Sequence, residues 1–146
     1  MLVVVSIIGI MAALTFPSVA AGVDSVRLRS ATDSISTILN AAVNRSDRRQ
    51  EPVEIVIAPK NNSISLYSTE PGFARQLKMP DGITRAGVQP KDPSDEDGPH
   101  RIVLMPGGAA PGIGIVVSNR HGGRRVVRLD PMTGFPRVES VSKSEE

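Results

Sequence analysis

The chain has no cysteine and no tryptophan, and only one tyrosine and three phenylalanines among its 146 residues. Without cysteine it can hold no disulfide framework, no thiolate-bound zinc and no iron–sulfur cluster, and it can perform no thiol catalysis. The absence does not fix the compartment, because reducing and oxidising spaces both tolerate a thiol-free chain. Excess charge is lacking too: 17 Lys and Arg stand against 15 Asp and Glu, a net charge of +2. That is too little, as a sum, to be a footprint for nucleic acid. Charge is also missing locally. The first 23 residues carry none, and the first ionisable side chain is Asp24. What is present is 40% hydrophobic and 22% charged residues, a globular composition. The length allows one domain, or one domain with an appendage, and excludes two full enzymes.

The uncharged stretch reads MLVVVSIIGIMAALTFPSVAAGV. About 20 apolar residues are needed to cross a hydrocarbon core of ~30 Å, so residues 1–23 are expected to span a membrane. A cleaved signal peptide would carry a basic segment first and a shorter apolar one; here nothing basic precedes the run. A buried core helix would need more chain around it than the single domain that follows. The first basic residues, Arg27 and Arg29, lie on the C-terminal side of the run. Basic flanks normally stay in the cytoplasm, so a downstream domain outside the cytoplasm requires balancing basic residues before Met1.

From Asp24 the pattern becomes amphipathic. Leu28, Ala31, Ile35, Ile38, Leu39 and Ala42 recur at helical spacing, with Ser30, Asp33, Ser34, Ser36, Thr37, Asn40 and Asn44 on the other side. No strong stop occurs before the basic end at Arg45, Arg48 and Arg49, a favourable sign for a helix C-terminus. One helix from near Leu2 to near Arg48 is therefore predicted, about 70 Å long. Pro17 removes a backbone donor inside it, and a kink or local unwinding is expected there.

The segment Ile7-Ile8-Gly9-Ile10-Met11-Ala12-Ala13 followed by Pro17 resembles the N-terminal helix of type IV pilins and type II secretion pseudopilins. In that family a basic leader and a glycine precede Phe-Thr-Leu-Ile-Glu, and Met1 here takes the place just after that glutamate. The resemblance thus implies that the leader, the cleavage-site glycine, the methylated N-terminal residue and the glutamate precede Met1 in a full-length form, which prepilin peptidase would process. It implies that Ile7, Ile8, Gly9, Ile10, Ala12, Ala13 and Pro17 pack among the helices of neighbouring subunits. It also implies a bacterial inner-membrane, single-pass protein with a periplasmic globular domain.

After Glu51-Pro52 the apolar period changes to two. Strands are predicted at Val53 to Ile57, Ile64 to Tyr67, Ile83 to Val88, His100 to Met105, Ile113 to Ser118, Arg124 to Leu129 and Arg137 to Val141. The first two form a hairpin across Pro59-Lys60-Asn61-Asn62, and the final Lys-Ser-Glu-Glu is expected to be loose. The expected fold class is α+β: a long helix, transmembrane over 1–23 and amphipathic over 24–49, packed on an antiparallel β-domain over 50–146. The strand beginning at Val53, the Ile102-Val103-Leu104-Met105 segment and the end from Arg125 resemble the H-type minor pseudopilins and the minor pilins of competence.

Several groups are weighed for chemistry. His100 and His121 show no metal-ligand spacing and read as exposed loop histidines. The acid run Asp92, Asp95, Glu96 and Asp97 lacks the spacing of a calcium loop and reads as a solvated loop. Glycines 107, 108, 112, 114, 122 and 123 lack the Lys-Ser/Thr of a phosphate cradle and read as turn glycines. No cofactor is implied. Arg120, Arg124, Arg125, Arg128 and Arg137 fall close together with only Asp130 between them. In a strand Arg124 and Arg128 share one face, and Arg120 and Arg137 fall in turns near it. Such a patch neutralises phosphates without reading sequence; a solvated strand, or pairing with a neighbouring subunit, is the plainer reading. Competence pilins hold DNA with a C-terminal Gly-Arg-x-Arg element, of which this chain keeps Gly134 and Arg137 but not the first arginine.

The sequence thus points to a structural, non-enzymatic role as a minor pseudopilin of the type II secretion pseudopilus, assembling with other pseudopilins in the inner membrane. The alternative is a competence-type minor pilin that captures DNA through Arg120, Arg124, Arg128 and Arg137. A membrane-anchored enzyme lacks a nucleophile–base pair or a metal set.

Overall fold

A computed structural model describes residues 1–90 and 98–141, with side chains throughout except at 16–18 and 84–86. The acid run at 92–97 and the C-terminal Lys-Ser-Glu-Glu lie outside the described residues.

A single α-helix, α1, covers Leu2–Arg49. Its backbone stays helical across Pro17, so the local unwinding expected there is absent. One missing donor does not end a ladder that continues for many turns on either side. Two hydroxyls inside the apolar half are satisfied by the helix itself: Ser6 Oγ donates to the Leu2 carbonyl at 2.9 Å and Thr15 Oγ1 to the Met11 carbonyl at 3.0 Å. Such internal pairing is what a polar group needs in hydrocarbon. The helix ends as Gln50 enters the left-handed region at φ 55°, with Arg48 and Arg49 in its last turn.

Eight strands follow: β1 Val53–Ala58, β2 Ser63–Ser68, β3 Ala74–Lys78, β4 Ile83–Gln89, β5 His100–Leu104, β6 Gly114–Asn119, β7 Arg124–Leu129 and β8 Pro136–Ser140. All but β3 fall where the period of two predicts them. The sequence Ala74-Arg75-Gln76-Leu77-Lys78 hides its strand because it lies at a sheet edge, almost wholly exposed, with no apolar alternation to read. The strands form two antiparallel four-stranded sheets, in the orders β3-β2-β1-β5 and β4-β6-β7-β8. The β1–β2 hairpin pairs Ile55 with Leu66 and Ile57 with Ile64, and its turn ends at Asn62 with φ 50°, a conformation asparagine tolerates.

Both sheets pack on the second half of α1. The stripe of Leu28, Ala31, Ile35, Ile38, Leu39 and Ala42 is buried, as its spacing predicts, against Val53, Ile55, Ile57, Ile64 and Leu66 of the first sheet and Ile115, Val117, Val127 and Leu129 of the second. Fully burying each large aliphatic side chain contributes about 1.5–3 kcal/mol, so this one stripe fixes the helix to the domain. Arg45 adds a polar clamp near the helix end. Its guanidinium lies 3.6 Å from the Phe73 ring centroid and pairs with Glu70, tying the β2–β3 loop to α1.

Candidate functional site

Three features outside the core have chemical character: the bare half of α1, a charged knot where that half ends, and the arginine-bearing face of the second sheet.

In the bare half, Ile7, Ile8 and Ile10 are half or more exposed, Ala12 and Ala13 are exposed, and Gly9 has open space where a Cβ would stand. The 18-residue apolar window, of mean hydropathy 2.3, touches nothing else in the fold. It is long and apolar enough to cross a membrane. A helix that is hydrophobic all round needs lipid or other helices around it. Pro17 lies within this segment, but its ring is outside the described side chains.

The knot centres on Asp24, only 7% exposed. Asp24 continues the buried stripe one turn before Leu28, so the domain closes over a carboxylate. A buried carboxylate must be paired, and three cationic or protonatable groups meet it. His121 Nδ1 lies 2.7 Å from Asp24 Oδ2, Arg120 Nε 3.9 Å from the same oxygen, and Arg27 Nη1 3.8 Å from Oδ1. His121 is thus no idle loop histidine: although half exposed, it ties the β6–β7 turn to the helix. The turn is held in shape by Asn119, whose Oδ1 accepts from the backbone N–H of His121 at 3.1 Å and of Gly123 at 2.7 Å. The β3–β4 turn closes the other side. There Gly82 has φ +96°, a backbone conformation that selects glycine, and its Cα faces Arg120 Nη2. Sequence reasoning missed this knot. The available signal was Asp24 itself, an acid on the apolar face of an amphipathic helix.

The arginine face is as strand parity predicts, with one exception. In β7, Arg124 and Arg128 are exposed on one face, and Arg128 stands directly opposite Arg137 of β8. Between them Val126 is buried, with its Cγ1 only 2.8 Å from where a Cβ on Gly114 would lie. Gly114 is thus a packing glycine inside β6 rather than a turn residue. Arg120 is the exception: the turn carries it to Asp24, at the far end of β7 from Arg137. Arg128 and Arg137 are also partly neutralised, by Glu139 at 4.0 Å and Asp130 at 3.3 Å respectively. Asp130 organises the β7–β8 turn, accepting from the Met132 N–H at 2.9 Å and the Thr133 N–H at 3.3 Å. These backbone bonds, the Met132 one foremost, and the Arg137 charge hold its carboxyl below the usual carboxylate value.

A cleft of about 410 Å³ lies beside the helix end, lined by Val43, Ser46, Met105, Ala110 and Met132, with Asp47 its one titratable group. A nucleophile–base pair is not assembled there. No protein-family model, curated protein or solved structure matches the chain.

Proposed function

We propose that the chain is a minor pseudopilin, a structural, non-enzymatic subunit of a type II secretion pseudopilus. Its bare half-helix sits in the bacterial inner membrane and then packs among the helices of other pseudopilins, with the β-domain on the periplasmic side. The single observation that carries this reading is that one unbroken helix is naked and apolar over its first half and locked into a two-sheet domain over its second. Such a helix suits both an anchor and a filament core. The helix motif around Gly9 supports the same reading.

A competence-type minor pilin that binds DNA is the second reading. It is favoured by the shared exposed face of Arg124, Arg128 and Arg137 and weakened by the carboxylates that already pair two of them.

The absence of cysteine makes the test clean, because any introduced thiol is unique. With Ile10→Cys in native membranes, a thiol-reactive photo-cross-linker, which inserts into C–H bonds of whatever lies beside it, is expected to join the chain to other small single-helix proteins, identified by mass spectrometry. A chain that stays uncross-linked at Ile10, Ile7 and Ala13 in turn sinks the filament reading.

A further inference from the structure

The basic residues near the C-terminus divide in space. Arg128 and Arg137 face Glu139 and Asp130, whereas the β6–β7 turn delivers Arg120 and Arg124 to the end of the domain where α1 leaves its bare half. Two more arginines wait there on the helix, Arg27 and Arg29, and Arg125 follows half-buried in β7. Of the described acids, Asp24 and, in the adjoining β3–β4 turn, Asp81 stand against these five. Among the described residues neither Arg29 nor Arg124 has an ion-pair partner, and both are exposed. Arg27 and Arg120 share the single charge of Asp24 at 3.8 and 3.9 Å, and their side chains stay 47% and 58% exposed.

The height of this cluster decides its meaning. The uncharged run ends at Val23, and residues 2–23 alone, about 33 Å at ~1.5 Å per residue, suffice for a hydrocarbon core of ~30 Å. The first charged residue, Asp24, marks the start of the headgroup layer, some 5–8 Å deep, and Arg29 lies about 8 Å further along the axis. Arginine side chains extend along such an interface while keeping the charge in the polar layer. Exposed Val23 and Val26 lie among them, and this mixture of apolar groups and cations suits a bilayer boundary better than a nucleic-acid groove. A nucleic acid at this site would also have to lie against the membrane surface.

We propose that Arg27, Arg29, Arg120 and Arg124 form a contact for the phosphates of anionic phospholipid headgroups, seating the β-domain on the membrane. The proposal rests on the membrane-spanning reading of α1, but not on the type of filament. Asp24 and His121 hold the β6–β7 turn at the helix so that Arg120 and Arg124 face the headgroups.

The test uses the full chain. Carbonate extraction first establishes that it is inserted. The detergent-solubilised protein is then mixed with equimolar phosphatidylglycerol and phosphatidylcholine, and native mass spectrometry counts the lipids retained. Each arginine near an anionic surface is worth about a five-fold preference. The chain is expected to retain phosphatidylglycerol more than ten-fold over phosphatidylcholine, and R29Q and R124Q each to lower that ratio about five-fold. R128Q and R137Q are expected to leave it unchanged. Equal retention of the two lipids by the inserted chain overturns the proposal and leaves the anchor intact. So does a preference that falls with R128Q but not R124Q, or tight duplex-DNA binding lost in R124Q with no lipid preference. Release by carbonate overturns both the contact and the anchor.

Discussion

The two halves of α1 share one backbone ladder but differ in everything that touches it. From Met1 to Val23 no side chain carries charge and none is buried among the residues whose side chains are described. From Asp24 a stripe is sealed under two sheets while the opposite face carries hydroxyls, amides and the charges of Arg27, Arg29 and Asp33. The change comes within one turn, at the carboxylate where burial begins. Helical structure is thus continuous while its cause is not. The second half is held by tertiary packing, and the first needs surroundings that water does not provide.

Truncation of one side chain in each half breaks or sharpens this contrast. Leu39 is fully buried, and Leu39→Ala is expected to cost about 3 kcal/mol. For a domain of this size that lowers the melting temperature by roughly 12 °C. Ile8, 61% exposed, touches nothing in the fold, so Ile8→Ala in detergent is expected to stay within about 0.5 kcal/mol of the parent. Thermal unfolding followed by circular dichroism measures both. Equal losses would mean that the apolar half packs on the domain after all.

Much of this contrast was legible in the sequence because each half has a simple period. Continuous apolarity and a 3.6-residue stripe are local patterns, and both survive in the structure, as do the seven predicted strands, although burial alternates cleanly in β1 and not in β2, β7 or β8. β3 was not legible because an exposed edge strand of Arg, Gln and Lys buries nothing. The split into two sheets was not legible because it depends on which strands pair, a non-local choice. The arginine parity of β7 was readable from alternation, whereas the fate of Arg120 was not, since a turn residue has no fixed face. The Asp24–His121 contact joins positions nearly a hundred residues apart, so only the misplaced acid on the apolar stripe pointed to it.

The junction between the halves is tested at Asp24. Asp24→Asn keeps the shape but removes the charge that His121, Arg120 and Arg27 surround. A charge-assisted contact of this kind is worth about 2 kcal/mol, and that loss is expected in denaturant unfolding. His121→Ala should cost less, because His121 is half exposed. The double variant should lose less than the sum of the two, since both remove one contact. Strict additivity would show that the β6–β7 turn is positioned without Asp24, and the boundary would then be set by apolar packing alone.

The smallest effect is expected at the other end of β7, where a half-buried carboxylate does a comparable task. Asp130 holds the Met132 and Thr133 amides and faces Arg137, and its lowered pKa fixes the sign of the pH effect. A carboxyl with a folded-state pKa below its unfolded value stabilises the fold at all pH above the ordinary carboxylate value. It loses that contribution as pH falls through the lowered one. The β7–β8 turn is therefore expected to be unchanged down to mildly acidic pH and to loosen only in strong acid. There the Met132 and Thr133 amide resonances should shift together, and their hydrogen exchange, compared at matched intrinsic rates, should quicken. Asp130→Asn should abolish the step. Protonation also frees Arg137 beside Arg128, which raises the positive charge of the distal face without touching the arginines around Asp24. Asp130→Asn does the same at neutral pH, where the headgroup phosphates stay ionised, and lipid retention by that variant should match the parent. A rise in its retention would place the lipid-facing arginines at the distal end, and the division of the basic residues between the two ends of β7 would fail.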